Sequence, residues 1–120
     1  LVAWGAMTHE ALAAADELAA EDVFAEVIDL ATLKPLDLDT ILGSVAKTRR
    51  CVVVSEAPRT CSFASEVSAN VSEQGLMSLL APVERVTAWD TVTPMSRLES
   101  RYMPDKRRIV TAAHKVMQYH

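Results

Sequence analysis

Only three glycines occur in the 120 residues, and no two of them are close together. A phosphate loop of the G-x-G-x-x-G or G-x-x-x-x-G-K-[ST] kind needs clustered glycines, so that backbone amides can approach the anion. Neither pattern is present, and the turn WGAMTHEA at residues 4–11 holds a single glycine. The two cysteines, Cys51 and Cys61, are too few for a disulfide-stapled secreted domain, and no histidine stands near them to complete a zinc site. Histidine is scarce as well: His9, His114 and His120 are all expected at the surface. No G-x-S-x-G elbow is present, and no Ser, His and acid set stands out. The longest purely aliphatic run, residues 52–54, is far too short to span a bilayer, and no signal-peptide pattern is read at the start. Twelve basic against sixteen acidic residues give a net charge of -4, so no general attraction to nucleic acid or anionic membrane is expected. The one basic run, Lys106-Arg107-Arg108, has no interleaved aromatics and reads as a solvated face.

What remains is the composition of one globular domain, residues 1–120, half of it hydrophobic. Short apolar runs alternate with helical periodicity. Residues 1–4 read as a strand, and residues 8–21 as a helix whose face carries Met7, Ala11, Ala14 and Leu18 at spacings of four, three and four. AEVIDL at 25–30 is a second strand. Asp37 or Asp39 can cap a helix reaching about Thr48, because a carboxylate accepts from the free amides of a first turn. CVVVS at 51–55 is the third strand, with Cys51 as a small buried residue. The loop EAPRTCS then leads to a helix over 63–74. VERVTA at 83–88 is the fourth strand. A long irregular segment with Pro94 and Pro104 follows, then a last helix from about Asp105 with Ile109, Ala113, Val116 and Met117 on one face.

Strands that alternate with helices imply crossover connections and a mainly parallel sheet. Runs such as VVV suit strands covered on both faces. The expected fold is therefore an α/β three-layer sandwich with four or five strands, in the order 2-1-3-4 that right-handed crossovers favour. A phosphoacceptor domain would need paired acids beside the first strand, and none are there. No catalytic, cofactor-binding or metal-binding residue is assigned from spacing.

Five stretches in order, GAMTHEALAAADEL, EVIDLATLKPLDLDTILGSVAKT, VVVSEAPRT, APVERVTAWDTVTP and LESRYMPDKRRIV, together resemble one family. It is the C-terminal, transketolase-type domain of 2-oxo acid dehydrogenase beta subunits, shared by pyruvate, branched-chain and acetoin dehydrogenases. The resemblance implies a fragment of a longer beta subunit, and the start at Leu1 is read in the same way. It implies a parent enzyme that decarboxylates a 2-oxo acid with thiamine diphosphate and magnesium and passes the acyl unit to a lipoyl group. The cofactor would lie between the alpha subunit and the other beta-subunit domain, so this fragment is expected to bind none of it and to be inactive alone. Its implied partners are the alpha subunit, a second beta subunit and the lipoyl acyltransferase core, in the cytoplasm or, in a eukaryote, the mitochondrial matrix.

A subunit-contact role is expected at Glu56, Pro58, Arg59, Phe63, Trp89 and Met95, with a Glu56–Arg59 ion pair as the plainer alternative for that loop. The four large apolar residues Phe63, Trp89, Val92 and Met95 are expected in one exposed patch, unless they tuck back onto their own core. Relatives often carry glycines after EAPRT where this chain has Cys61-Ser62-Phe63, which implies another backbone shape or strain here. They also often carry an acid, implied in docking the acyltransferase, where this chain has Leu80. A free-standing flavodoxin-like binding or regulatory module is the alternative from a different class.

Overall fold

The computed structural model describes residues 1–119; the expectation for His120 lies outside the described residues. The chain runs β1 (Val2–Ala3), α1 (Met7–Ala19), β2 (Ile28–Asp29), α2 (Leu38–Thr48), β3 (Val52–Pro58), α3 (Phe63–Gly75), a 3-10 turn (Leu76–Ser78), β4 (Glu84–Ala88), α4 (Ser96–Tyr102) and α5 (Lys106–Met117). The four strands form one sheet in the order β2-β1-β3-β4, and every pairing is parallel.

The alternation of β3 builds the two halves of the core. Val52 and Val54 face one side, together with Ala11, Ala14 and Leu18 of α1 and Ile109, Ala113 and Val116 of α5. Val53 faces the other, with Ile41 and Val45 of α2 and Val67 and Val71 of α3. Successive side chains of a strand point to opposite faces, so a run of three valines fits only a strand sandwiched between two helical layers. Two helices start on side-chain caps. Asp37 accepts from the Thr40 amide at 3.1 Å, and Asp105 from the Arg108 amide at 3.0 Å.

The structure departs from the sequence expectations in several places. β2 shrinks to two residues, because most of AEVIDL lies outside the ladder. β3 continues through Glu56, Ala57 and Pro58, which the sequence assigns to a loop. A register shift between Ser55 and Pro58 lets the strand carry this proline and still pair with β4. The segment expected to be irregular after β4 contains α4, a two-turn helix between the prolines at 94 and 104. Met117 lies at the end of α5 and is 43% exposed, so it is not on the buried face with Ile109, Ala113 and Val116. His114 is only half in solvent and lies 3.1 Å from the Glu21 carboxylate.

Candidate functional site

The carboxyl ends of β3 and β4 carry the segments for which a contact role is expected, and polar bonds lock them together. Thr60, just after β3, donates its amide to Asp90 Oδ1 at 2.9 Å and its hydroxyl to Oδ2 at 2.6 Å. These bonds, led by the Thr60 hydroxyl, hold the Asp90 carboxyl below the usual carboxylate range, and the nearby Arg59 adds to the effect. Arg59 does not pair with Glu56, which is exposed; its guanidinium reaches across the edge strand and donates to the Arg85 carbonyl at 3.0 Å. The expected Glu56–Arg59 ion pair is thus replaced by a backbone contact, since Glu56 still belongs to the strand and Arg59 has already turned over β4.

The same edge is capped a second time. Glu84 donates its amide to the Cys51 carbonyl at 3.1 Å, so alternation turns the carbonyls of Arg85 and Thr87 toward the open side of β4. Arg108 of α5 donates to the Thr87 carbonyl at 2.6 Å. Its guanidinium lies 4.4 Å from the centroid of the Trp89 ring, a cation–π distance, and the Trp89 indole N–H donates to the Arg101 carbonyl at 3.2 Å. The basic run 106–108 is therefore not one solvated face. The helical period sends Lys106 to Glu17 at 3.1 Å, leaves Arg107 exposed and turns Arg108 inward.

The apolar residues expected in one patch divide. Val92 and Met95 are each 89% exposed and Trp89 56%. Phe63 is partly buried, and its ring meets Trp4 edge-to-face with centroids 5.7 Å apart. Those two rings belong to the first turns after β1 and β3. There the strand order reverses, and open α/β sheets commonly receive ligands at such a point. Here the Trp4 and Phe63 rings meet beside that point. Cys61, between Thr60 and α3, takes φ +56, a left-handed conformation natural to glycine. Sequence reasoning did not single out Asp90 or Arg108. Asp90 is one acid among sixteen, with no motif spacing to mark it; Arg108 was legible only through the helical phase of α5.

A family model for the transketolase C-terminal domain matches residues 1–109. The chain belongs to the transketolase C-terminal domain family. It is 45% identical over 119 residues to the Bacillus subtilis pyruvate dehydrogenase E1 component subunit beta, covering 99% of this chain and 37% of that subunit. It is 41% identical to the corresponding subunit of Staphylococcus epidermidis over the same shares of both chains. A split-gene transketolase, solved as an inactive beta4 tetramer, superposes with a TM-score of 0.83 at 32% identity over 98% of this chain and 37% of that one. The chain thus spans little more than a third of the relatives it matches. Within this transketolase-type domain, no three His, Cys, Asp or Glu side chains among the described residues are placed to hold a metal ion together. No described helix is long and apolar enough to cross a membrane.

Proposed function

We propose that the chain is the C-terminal domain of the beta subunit of a thiamine-diphosphate-dependent 2-oxo acid dehydrogenase, and that it serves subunit assembly rather than chemistry. The observation that carries this reading is its 45% identity, along 99% of its length, to a pyruvate dehydrogenase E1 beta subunit. The parent enzyme oxidatively decarboxylates a 2-oxo acid, pyruvate being the first candidate, and acylates a lipoyl group. Thiamine diphosphate binds through a magnesium ion and a diphosphate cradle. The described residues offer neither a metal-ligand cluster nor clustered glycines, so they do not fit that cofactor, and its site belongs to the rest of the parent.

In the parent, Trp89, Val92 and Met95 form the apolar contact with a neighbouring subunit, flanked by Glu56, Pro58 and Arg59. Phe63, packed edge-to-face on Trp4, is the half-buried member of the expected contact set. Large apolar side chains left in water on one edge support this assignment, because obligate interfaces are richer in them than ordinary surface. The partners are the alpha subunit and a second beta subunit. The acyltransferase core docks elsewhere than through a charge at Leu80, which is a half-exposed apolar residue. The intact gene product, purified with its alpha subunit, tests the reading. It should reduce an artificial electron acceptor when given pyruvate or a branched-chain 2-oxo acid with thiamine diphosphate and magnesium. A native polypeptide that ends within this domain alone, or an intact assembly inert to every 2-oxo acid, overturns it.

A further inference from the structure

Five of the twelve basic residues line one groove between the open edge of β4 and helix α5: Arg59, Arg85, Arg107, Arg108 and Lys115. Among the described residues Glu84 is the only acid in its lining, in a chain whose net charge is -4. Glu84 is also already paired, with Lys115 at 2.8 Å. None of the four arginines forms a salt bridge with a carboxylate of the described residues. Two of them, Arg59 and Arg108, are instead held in place by backbone carbonyls of this edge, at 3.0 and 2.6 Å, whereas Arg85 turns to the α3 face, where it donates to the Ser65 hydroxyl at 2.5 Å and to the Arg59 carbonyl at 3.4 Å. One guanidinium nitrogen of Arg108, Nη1, is buried without a hydrogen-bond partner among the described residues. Guanidinium groups fixed by neutral acceptors keep their full charge and some unused donors, and the fork geometry of arginine fits a carboxylate in a bidentate manner.

We infer that this groove binds an acidic peptide segment of a partner protein, whose carboxylates pair with Arg107 and Arg59 beside the β4 edge. The groove is open and elongated along a strand and a helix, so it suits an extended chain with several carboxylates better than a point anion. Val86 and Ala112 in its wall offer apolar contact between the charges, as a peptide needs. Among the described residues no aromatic side chain lines it for base stacking, and Glu84 interrupts the positive potential that a continuous polyphosphate backbone would require. The two capped carbonyls keep the edge from simply adding another strand, so recognition runs through side chains. The inference stands on charge and geometry within this domain and does not depend on the substrate of any parent.

Titration of the chain with a short polyglutamate peptide, followed through Trp89 fluorescence, tests it, because Trp89 lies against Arg108. Saturable binding that weakens with salt is expected. Arg107→Glu, at an exposed side chain that the fold does not use, should lower the affinity about tenfold with an unchanged circular dichroism spectrum. Arg97→Glu makes the same change in net charge on α4, away from the groove, and should leave the affinity within about twofold. Absence of saturable binding overturns the inference, and so does equal weakening by both variants, which would mark bulk charge alone. Inorganic phosphate or an oligothymidylate binding as tightly as the peptide also overturns it, in favour of a small-anion or nucleic-acid site.

Discussion

Asp90 holds Thr60 by two bonds at once, accepting from its amide at 2.9 Å and its hydroxyl at 2.6 Å across thirty residues of sequence. This clasp joins the segment after β3 to the segment after β4, and so fixes the relative positions of Arg59 and Trp89. The Asp90 carboxyl lies below its ordinary value of 3.8 because it accepts these bonds. A carboxyl whose folded pKa is depressed contributes stability above the unfolded pKa and loses it as pH falls through the folded one. Denaturant midpoints of the wild type should therefore fall as pH drops below about 4, and Asp90→Asn should flatten that slope. Asp37 and Glu26 are depressed in the same direction, by Thr40 and by Lys47 respectively, so the slope should shrink in Asp90→Asn without vanishing. An unchanged pH profile in Asp90→Asn would show that the clasp is not formed in solution.

The two cysteines should behave as opposites. Burial pushes the Cys51 thiol up to about 11, while Cys61 is exposed. A thiolate is the reactive form, so at pH 8 a thiol reagent should label Cys61 within minutes and spare Cys51 until the protein unfolds. Mass spectrometry of the native chain should find one adduct, at residue 61. Replacement of Cys61 by glycine relieves a left-handed backbone and should stabilise the fold by about 0.5–1 kcal/mol. A measured loss of stability in Cys61→Gly would mean that its side chain makes a stabilising contact which outweighs the strain.

The layers, the parallel sheet and the strand order were legible because they follow from runs and periods that the residues state directly. VVV requires cover on both faces, and Met7, Ala11, Ala14 and Leu18 mark one face of α1. The end of β3 was not legible, because EAP contains a proline that usually stops a ladder, and only the register shift beside Ser55 accommodates it. Helix α4 was hidden for a related reason. Its seven residues, SRLESRY, lie between two prolines and bury only Tyr102, so they carry almost no apolar period. The edge device was hidden too, since it depends on which way Arg59 and Arg108 turn, and side-chain direction at a groove is set by tertiary packing. The apolar residues after β4 were readable as exposed from the sequence, whereas the partner ring of Phe63 was not, since Trp4 is fifty-nine positions away.

Arg108 should matter more than its place in a basic run suggests. It caps the Thr87 carbonyl, lies over the Trp89 ring and carries a buried nitrogen, and burial pushes its pKa down. Arg108→Met keeps much of the stem but removes the cap and the cation–π contact, at an expected cost of about 1–2 kcal/mol. Arg107→Met on the exposed neighbour should cost less than about 0.5 kcal/mol. Trp89 emission should shift to longer wavelength in the Arg108 variant alone. Equal stabilities in the two variants would return the whole run to a solvated face.

Phe63 and Met95 give the sharpest division between fold and contact surface. Phe63 packs edge-to-face on Trp4 and adjoins the core that contains Val53, Ala64 and Val67, whereas Met95 is 89% exposed ahead of α4. Truncation of a partly buried aromatic removes both transfer energy and ring contact, so Phe63→Ser should destabilise the chain by about 2–4 kcal/mol. Met95→Ser removes a side chain that touches mainly water and should change stability by less than about 0.5 kcal/mol. Self-association at high concentration, followed by sedimentation, should respond in the reverse order. Met95→Ser, alone or with Val92→Ser, should weaken it while the thermal midpoint stays fixed. If Met95→Ser lowers the midpoint as much as Phe63→Ser does, Met95 belongs to the core in solution and cannot be the contact residue. If neither substitution alters association, the exposed segment from Trp89 to Met95 is not where subunits meet, and the apolar residues there need another explanation.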